Sequence, residues 1–367
     1  MNESGNDGMG SKINTAAEMR WMIYGANGYT GELIAREAVR RGFRPIVAGR
    51  NRESIQALAH ELGLEFCAFG LSDASVLADQ LQGQSLVLNC AGPFSATAAP
   101  MMDACLRSGT HYLDITGEIA VFELAQSLSK RAEQAGVVLC PGVGFDVIPT
   151  DCVAAALKAA LPDATHLSLG FDSRSGFSPG TAKTSVEGLA QGGKVRRDGR
   201  IVGVPLAYRV RRIDFGDGEK DAMTIPWGDV STAYHTTGIP NIEVFIPGSP
   251  SMITNAKRAN YFRPLLGLAW VQRLIKARIA RTVKGPSEEK RALQPTFVWG
   301  EVVNARGEKK TAKIRTANGY SLTITGSLAV VEYLMKSEPV PGTYTPAKLV
   351  GSRLVSQLPE SSPLQIS

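Results

Sequence analysis

Residues 21–51 read WMIYGANGYTGELIAREAVRRGFRPIVAGRN, and this stretch decides the fold. It opens with an apolar run and continues with three glycines spaced three apart, Gly25, Gly28 and Gly31. A helical pattern follows, and a second apolar run covers residues 45–49. The order strand, glycine turn, helix and strand is that of the βαβ unit that binds dinucleotides.

The same alternation continues beyond this unit to about residue 162. Four further apolar runs of strand length alternate with amphipathic runs, at 64–69, 85–92, 111–115 and 137–142. This pattern predicts an α/β fold with a Rossmann-type, doubly wound parallel sheet.

A second α/β domain with a mixed or antiparallel sheet is predicted from the β-leaning segments that follow, including a hairpin over 296–317. The predicted divisions are a disordered tail (1–18), the Rossmann domain (19–162), a substrate and dimerisation domain (163–318) and a C-terminal helical segment packing back on the Rossmann domain (319–367).

The glycine loop is the predicted phosphate site. Its first glycine allows a tight turn, its second lets the backbone approach a pyrophosphate, and its third lets helix and strand pack closely. The following helix would point free N–H groups at the phosphates. A glycine-rich turn without a ligand is the alternative. The expected cofactor-binding residues of this loop are Gly25, Ala26, Asn27, Gly28, Tyr29, Thr30 and Gly31.

The end of the second strand predicts which dinucleotide binds. Arg50 and Asn51 stand where an NAD site has a carboxylate for the ribose hydroxyl, and a guanidinium suits a 2′-phosphate. We therefore expect NADP(H), with a solvated strand-end charge as the alternative for Arg50. Asn89, Gly92 and Pro93 end the fourth strand and are expected near the nicotinamide half, although Asn89 could also be a strand-end cap.

Several stretches together resemble the saccharopine dehydrogenase-like family with an NADP-binding domain. They are GANGYTG (25–31), AGRN (48–51), LNCAGPF (88–94), GTHYLDITGE (109–118) and PGVGFDVIPTD (141–151). Three later stretches resemble the branch of trans-acting enoyl reductases, which serve complex-lipid synthesis. They are WGDVSTAYHTTGIPNIEVF (227–245), GPSEEKR (285–291) and TANGYSLT (316–323). The resemblance implies a Rossmann domain and a second domain that covers the nicotinamide and makes the contact of a homodimer.

Four side chains are candidates for catalysis. Asp114 and Asp146 follow the fifth and sixth strands, whose carboxyl ends border the ligand crevice of a doubly wound sheet. Tyr234 and His235 in the second domain could each donate a proton at neutral pH. The structural alternatives are a helix cap for Asp114, a turn-stabilising carboxylate for Asp146, and satisfied structural side chains for Tyr234 and His235.

Composition excludes several classes of function. The net charge of +6 is concentrated between Lys257 and Arg291, where ten Lys or Arg face two Glu, so a nucleic-acid-binding face throughout the chain is not indicated. Five scattered cysteines without C-x-x-C spacing predict no metal site and a reducing, cytoplasmic setting. The first residues lack the apolar core of a signal peptide, and no run predicts a membrane span.

Residues 263–284, RPLLGLAWVQRLIKARIARTVK, form a basic amphipathic pattern with one apolar stripe. Such a helix could lie on the inner face of a membrane as a peripheral anchor, or receive an acidic acyl carrier. The alternative is a helix that packs its stripe on the core or on a dimer partner.

These observations predict an NADP-dependent oxidoreductase that reduces a C=C (enoyl-type) or C=N bond of a small-molecule or acyl-type, lipid-linked substrate. An amino-acid imine reductase is the alternative enzyme. A non-catalytic NADP-binding scaffold or redox sensor is the alternative from another class.

Overall fold

A computed structural model describes residues 19–173, 191–266, 268, 270–274, 277 and 294–367 of the 367-residue chain. The predicted tail, residues 1–18, lies outside the described residues, and so does part of the predicted basic segment, 263–284.

The first sheet has seven strands within the described part of the chain. They are β1 (Trp21–Tyr24), β2 (Ile46–Gly49), β3 (Phe66–Ala68), β4 (Leu86–Asn89), β5 (His111–Asp114), β6 (Val138–Cys140) and β15 (Gly342–Thr343). Their order is β15-β6-β5-β4-β1-β2-β3, and every pair is parallel. The predicted Rossmann-type sheet is confirmed. Because β1 lies between β2 and β4, the strand order reverses beside the glycine loop, where such sheets bind their ligands.

Seven helices connect and follow these strands in the described residues. They are α1 (Tyr29–Arg40), α2 (Arg52–Leu62), α3 (Ala74–Leu81), α4 (Phe94–Ser108), α5 (Ile119–Ser127), α6 (Ser129–Ala135) and α7 (Ile148–Ala160). Local side-chain caps explain two starts: Asn51 accepts from the N–H of Ser54 at α2, and Asp73 accepts from those of Ser75 and Val76 at α3.

The second sheet has nine described strands. They are β7 (Ala164–Ser173), β8 (Gly193–Arg197), β9 (Arg200–Val204), β10 (Val210–Asp214), β11 (Glu219–Thr224), β12 (Asn241–Pro247), β13 (Thr296–Asn304), β14 (Lys309–Thr316) and β16 (Gln365–Ile366). The pair β7–β12 is parallel and the other pairs are antiparallel, so the predicted mixed sheet is confirmed. The predicted hairpin is β13–β14.

The remaining helices lie between and after these strands. Those described are α8 (Asp229–Thr237), α9 (Pro250–Ala259), α10 (Arg263–Leu266), α11 (Gly319–Lys336), α12 (Pro346–Val350) and α13 (Leu354–Gln357), with a 3₁₀ turn at Asn260–Phe262. Helix α11 packs on α1, where Arg41 and Glu332 form an ion pair of 3.2 Å. The C-terminal segment contributes to both sheets, because β15 pairs with β6 and β16 pairs with β14.

A continuous apolar core joins the two sheets through α7, which packs against α8 and β13. Ile23 and Leu113 of the first sheet belong to the same buried cluster as Leu169 and Val298 of the second. None of the helices in the described ranges has both the length and the hydropathy that a bilayer crossing requires.

Candidate active site

The glycine loop between β1 and α1 is tightly packed. Gly25 has φ +78°, and a Cβ there would lie 2.7 Å from the amide nitrogen of Ala91 in the loop after β4. A Cβ on Gly31 would overlap the carbonyl oxygen of Gly25. Gly28 is the N-cap residue of α1, and no side chain caps the helix. The first turn therefore presents backbone N–H groups where an anion is favoured by the helix dipole.

The carboxyl end of β2 lies beside this loop. Asn27 Nδ2 donates a 2.9 Å hydrogen bond to Ser54 Oγ in the first turn of α2. Asn51 caps α2, with Oδ1 3.0 Å from the amide of Ser54. Arg50 is exposed between Gly49 and this cap, and the Arg52 guanidinium lies over the Phe66 ring at 5.6 Å. The exposed cation stands at the expected 2′-phosphate position, and no carboxylate follows β2 before Glu53.

The loop after β4 connects the cofactor side of the sheet to α4. Asn89 is fully buried, and its Oδ1 accepts from the amide of Ala91 at 3.0 Å, so this side chain stabilises the turn after β4. The loop continues through Gly92 and Pro93, which are joined by a cis peptide bond. Glu118, from the loop after β5, accepts from the amides of Phe94 and Ser95 at 2.9 and 2.8 Å.

Asp114 ends β5 and is fully buried. Its Oδ2 accepts a 2.6 Å hydrogen bond from the Tyr112 hydroxyl, and its Oδ1 accepts from the amides of Thr116 and Gly142 at 3.0 and 2.8 Å. Burial raises the pKa of Asp114 to about 6. The carboxylate joins the loops after β5 and β6. The alternative that Asp114 caps α5 is wrong, because its acceptors serve these loops and Glu118 is the N-cap residue of that helix.

Asp146 lies in the loop between β6 and α7 and differs from Asp114 in its surroundings. It is only partly buried, and no hydrogen bond or ion pair reaches its carboxylate from the described part of the chain. A Cβ on Gly117 would lie 2.6 Å from Asp146 Oδ2, so this carboxylate abuts the loop after β5. Burial raises the pKa of Asp146 to about 7. Such a carboxyl group can both donate and accept a proton near neutral pH.

The second domain reaches this place through the residues that precede and begin α8. Trp227 Nε1 donates a 2.9 Å hydrogen bond to the carbonyl oxygen of Asp146. A Cβ on Gly228 would lie 3.2 Å from the carbonyl oxygen of Gly117. Asp229 is fully buried in the first turn, and burial, with further effects of the neighbouring acids, raises its pKa well above the ordinary value.

Tyr234 and His235 lie in the second half of α8, in a polar cluster with α5 and β8. The Arg196 guanidinium stacks on the Tyr234 ring at 4.1 Å and donates to Glu123 Oε1 at 3.0 Å. His235 Nε2 lies 3.5 Å from Glu123 Oε1, and Ser231 Oγ donates to the same oxygen at 2.6 Å. The interaction with His235, followed by the Ser231 hydrogen bond and the charge of Arg196, lowers the pKa of Glu123 to about 2.

The four catalytic candidates therefore fall into two places. Asp114 and Asp146 lie on neighbouring loops at the carboxyl ends of β5 and β6. Tyr234 and His235 lie five and six residues beyond Asp229, or roughly 8 to 9 Å along the axis of α8 from the turn that touches the Asp146 loop. The structure does not bring the two pairs into contact, and a catalytic role for each of the four stays a prediction.

The comparisons with known proteins find a family match in the first domain. Residues 21–140 match the family described as the saccharopine dehydrogenase NADP binding domain. The match ends at the last residue of β6, so it covers the glycine loop, the end of β2 and Asp114, while the Asp146 loop follows it directly.

Curated relatives and a solved structure extend beyond this NADP-binding domain. The chain is 30% identical over 152 residues to human saccharopine dehydrogenase-like oxidoreductase, covering 35% of each protein. It is 31% identical over 193 residues to a Mycobacterium tuberculosis protein proposed to be a trans-acting enoyl reductase, covering 48% of the chain and 45% of that protein. The chain thus spans less than half the length of these relatives.

Apo saccharopine dehydrogenase (L-Glu forming) of Saccharomyces cerevisiae has the same fold. Its TM-score is 0.59 at 11% identity, and the match covers 95% of this chain and all of the yeast chain. At this identity the likeness concerns the arrangement of both domains and not the substrate.

Two features of this domain fit the binding of NADP: the glycine loop and the N-terminus of α1. The loop from Gly25 to Gly31 has no room for added side chains at its first and last positions, and the helix N-terminus behind it carries no side-chain cap. These residues would hold the pyrophosphate, and Arg50 with Asn51 would hold the ribose phosphate. Asn89 and Asp114 are the last residues of β4 and β5, and Asn89 stays a prediction for the nicotinamide half.

Three contributors to the site were not among the residues predicted from sequence. Trp227 holds the Asp146 carbonyl group, as described above. Thr323 Oγ1 accepts from the amide of Phe145 at 3.0 Å, and the Tyr320 ring meets that of Tyr29 edge to face at 5.3 Å. Both lie on α11, which follows the glycine loop by nearly 300 residues. The resemblance in 316–323 was the one signal that could have pointed to them.

Proposed function

We propose that the protein is an NADP-dependent oxidoreductase that reduces an enoyl-type C=C bond of an acyl substrate, with Asp146 as the proton donor. The observation that carries the proposal is the carboxyl group of Asp146. It is half-buried beside the NADP-binding domain, it abuts Gly117, and nothing in the described residues bonds to its oxygens. The carboxylate of Asp114, by contrast, accepts three hydrogen bonds and joins two loops.

The chemistry needs a hydride and a proton. NADPH, when bound, supplies the hydride to the electron-poor β-carbon of an enoyl group, which leaves the α-carbon to be protonated. Asp146 would hold that proton, because a pKa of about 7 keeps a large part of the carboxyl group protonated at neutral pH. Its partial exposure gives the carboxylate a route to take up a new proton from water afterwards.

Aromatic side chains packed beside the Asp146 loop support an acyl substrate over an amino-acid imine. The Phe145 and Phe171 rings are 5.4 Å apart, and those of Phe171 and Trp227 are 4.8 Å apart. Aromatic side chains suit an acyl chain, whereas an imine of two amino acids carries several carboxylates that need cations. The likeness to the M. tuberculosis protein supports the same choice.

The test is an assay of the full chain with NADPH, in which turnover is monitored as the loss of NADPH absorbance. Enoyl thioesters of graded chain length are compared with a keto acid plus an amine. We expect turnover of the thioesters, with kcat/KM falling as pH rises through about 7, because the protonated donor is then lost. Asp146→Asn should lower kcat by about 10²–10⁴-fold at an unchanged Kd for NADPH.

The exposed Asp163→Asn is the matched control and should keep wild-type rates. Turnover of the imine but not of the thioesters would overturn the choice of substrate. Full activity of Asp146→Asn would overturn the choice of donor. Tight NADPH binding without turnover of either substrate would favour the scaffold or sensor.

A further inference from the structure

The surface around α9 and α10 exposes an unusual amount of apolar side chain. Of the twelve large apolar side chains exposed in the described residues, seven lie between residues 252 and 274. They are Met252, Tyr261, Phe262, Leu265, Leu268, Trp270 and Leu274. Tyr261 is 84% exposed and Trp270 is 62% exposed, so these are not side chains at the rim of the core. We call these seven residues the apolar patch.

The charged residues of the sequence that carries the apolar patch are all basic. Lys257 and Arg258 are exposed in the last turn of α9, and Arg273 is exposed between Trp270 and Leu274. The sequence holds no Asp or Glu from residue 250 to residue 287. Apolar side chains among basic residues complement a surface that is apolar inside and anionic outside. The exposed Asp221 borders Met252 at one edge of the patch only.

We propose that the apolar patch docks on an anionic phospholipid surface, with Trp270 and Leu274 entering the interface and Lys257 and Arg258 facing the lipid head groups. Trp and Tyr prefer the depth at which acyl chains meet head groups. Basic residues near an anionic surface are attracted by its negative potential. This inference does not depend on the proposed reaction, because it uses none of the active-site residues.

A second copy of the chain is a poorer occupant of this surface. A two-fold contact through the patch would place Lys257, Arg258 and Arg273 of each copy close to the same cations of the other, without an acidic residue from 250 to 287 to separate them. An acidic protein would satisfy the cations but would have to bury side chains as exposed as Tyr261 and Trp270. A lipid surface satisfies both requirements at once.

The experiment is co-sedimentation of the full chain with vesicles of phosphatidylcholine alone, or of phosphatidylcholine with phosphatidylglycerol. We expect binding to the anionic vesicles, at least tenfold weaker binding to the neutral ones, and weakening by salt. The double variant Lys257→Glu/Arg258→Glu should lose at least tenfold in partition. The matched control Lys310→Glu/Lys348→Glu makes the same change in net charge at exposed sites away from the patch and should keep binding.

The apolar part is tested by Trp270→Ser against Val340→Ser, a substitution at an apolar residue that is 74% exposed elsewhere. Only the first should release the protein from anionic vesicles. Unchanged NADPH affinity in all variants shows that they are folded, which separates failure here from failure of the proposed function. Equal binding to both vesicle types, absence of binding, or a dimer in solution that Trp270→Ser dissociates would each overturn the proposal.

Discussion

Gly31 lies where α1 meets the glycine turn, and its backbone leaves no space for a methyl group. An added Cβ would overlap the carbonyl oxygen of Gly25 and lie 2.9 Å from Ala26 Cα, both of which are backbone atoms that cannot turn away. Gly31→Ala should therefore push α1 off β1 and lower the affinity for NADPH at least tenfold, as a titration of NADPH fluorescence would show. Gly203→Ala, where nothing lies within 4 Å, is the control and should bind normally.

Arg50 is the residue predicted to decide the preference between the two nicotinamide cofactors. Its exposed guanidinium at the end of β2 can pair with a 2′-phosphate, which NADH lacks. Arg50→Ala should lower the affinity for NADPH at least tenfold, about 1.4 kcal/mol, and leave that for NADH unchanged. The control is Arg44→Ala, which removes an exposed cation at the opposite end of the same strand. An unchanged ratio of the two affinities in Arg50→Ala would mean that the 2′-phosphate lies elsewhere.

At the scale of elements, α4 begins through a cap from a distant part of the chain. Pro93 provides no side-chain cap, and Glu118 accepts from the first two amides of the helix instead. Two hydrogen bonds to a carboxylate stabilise the fold by about 1–3 kcal/mol. Glu118→Ala should lower the free energy of unfolding by this amount in urea titrations. Glu338→Ala, at an exposed site, should change the free energy of unfolding by less than about 0.5 kcal/mol. Equal effects of the two substitutions would mean that the Glu118 cap does not stabilise α4.

The same cap shows where sequence reasoning about elements succeeds and fails. The sequence predicts a strand over 21–24 and a helix over 52–62, and both agree with β1 and α2, because an apolar run and a nearby cap or glycine define each end. It also predicts a helix from about Ala98, but α4 begins at Phe94, since its cap, Glu118, follows 20 residues after the predicted start. The prediction of a single helix over 119–135 is wrong, because α5 and α6 are separated at Leu128.

The candidate site divides in the same way. The positions of the glycine loop and of the exposed Arg50 could be predicted, because each lies within a few residues of its own strand. Trp227 and Thr323 could not, because each joins the Asp146 loop from another domain or segment, about 80 and 180 residues further along the chain. Spacing within a sequence carries no information about such contacts.

At the scale of the whole molecule, several carboxyl groups are buried near the junction of the two domains. Burial raises the pKa of Asp151 to about 6, although Thr236 and the amide of Ala347 bond to it. The pKa of Asp114 is also about 6, and that of Asp146 is the highest of the three, about 7. In the unfolded chain each would titrate near 3.9. The folded protein therefore binds more protons than the unfolded chain between about pH 4 and pH 7.

This difference fixes the sign of the pH dependence of stability. These three groups contribute most to stability below about pH 4, and the contribution is lost as pH rises through their folded pKa values. Asp146 accounts for the largest single part, because three pKa units correspond to about 4 kcal/mol. The charge of the Asp146 carboxylate would thus lower the free energy of unfolding at the pH where the proposed reaction runs. Removing this charge should show by how much.

Asp146→Asn should accordingly raise the free energy of unfolding at pH 8 by a few kcal/mol and leave it nearly unchanged at about pH 3, where the wild-type carboxyl is mostly neutral in both states. Urea titrations at the two pH values measure both quantities, and the exposed Asp79→Asn should show no gain at either. An equal effect at both pH values would mean that the amide changes packing and not charge. A loss of stability at pH 8 would mean that the Asp146 carboxylate is stabilised by the fold, and it could then no longer serve as the proton donor proposed above.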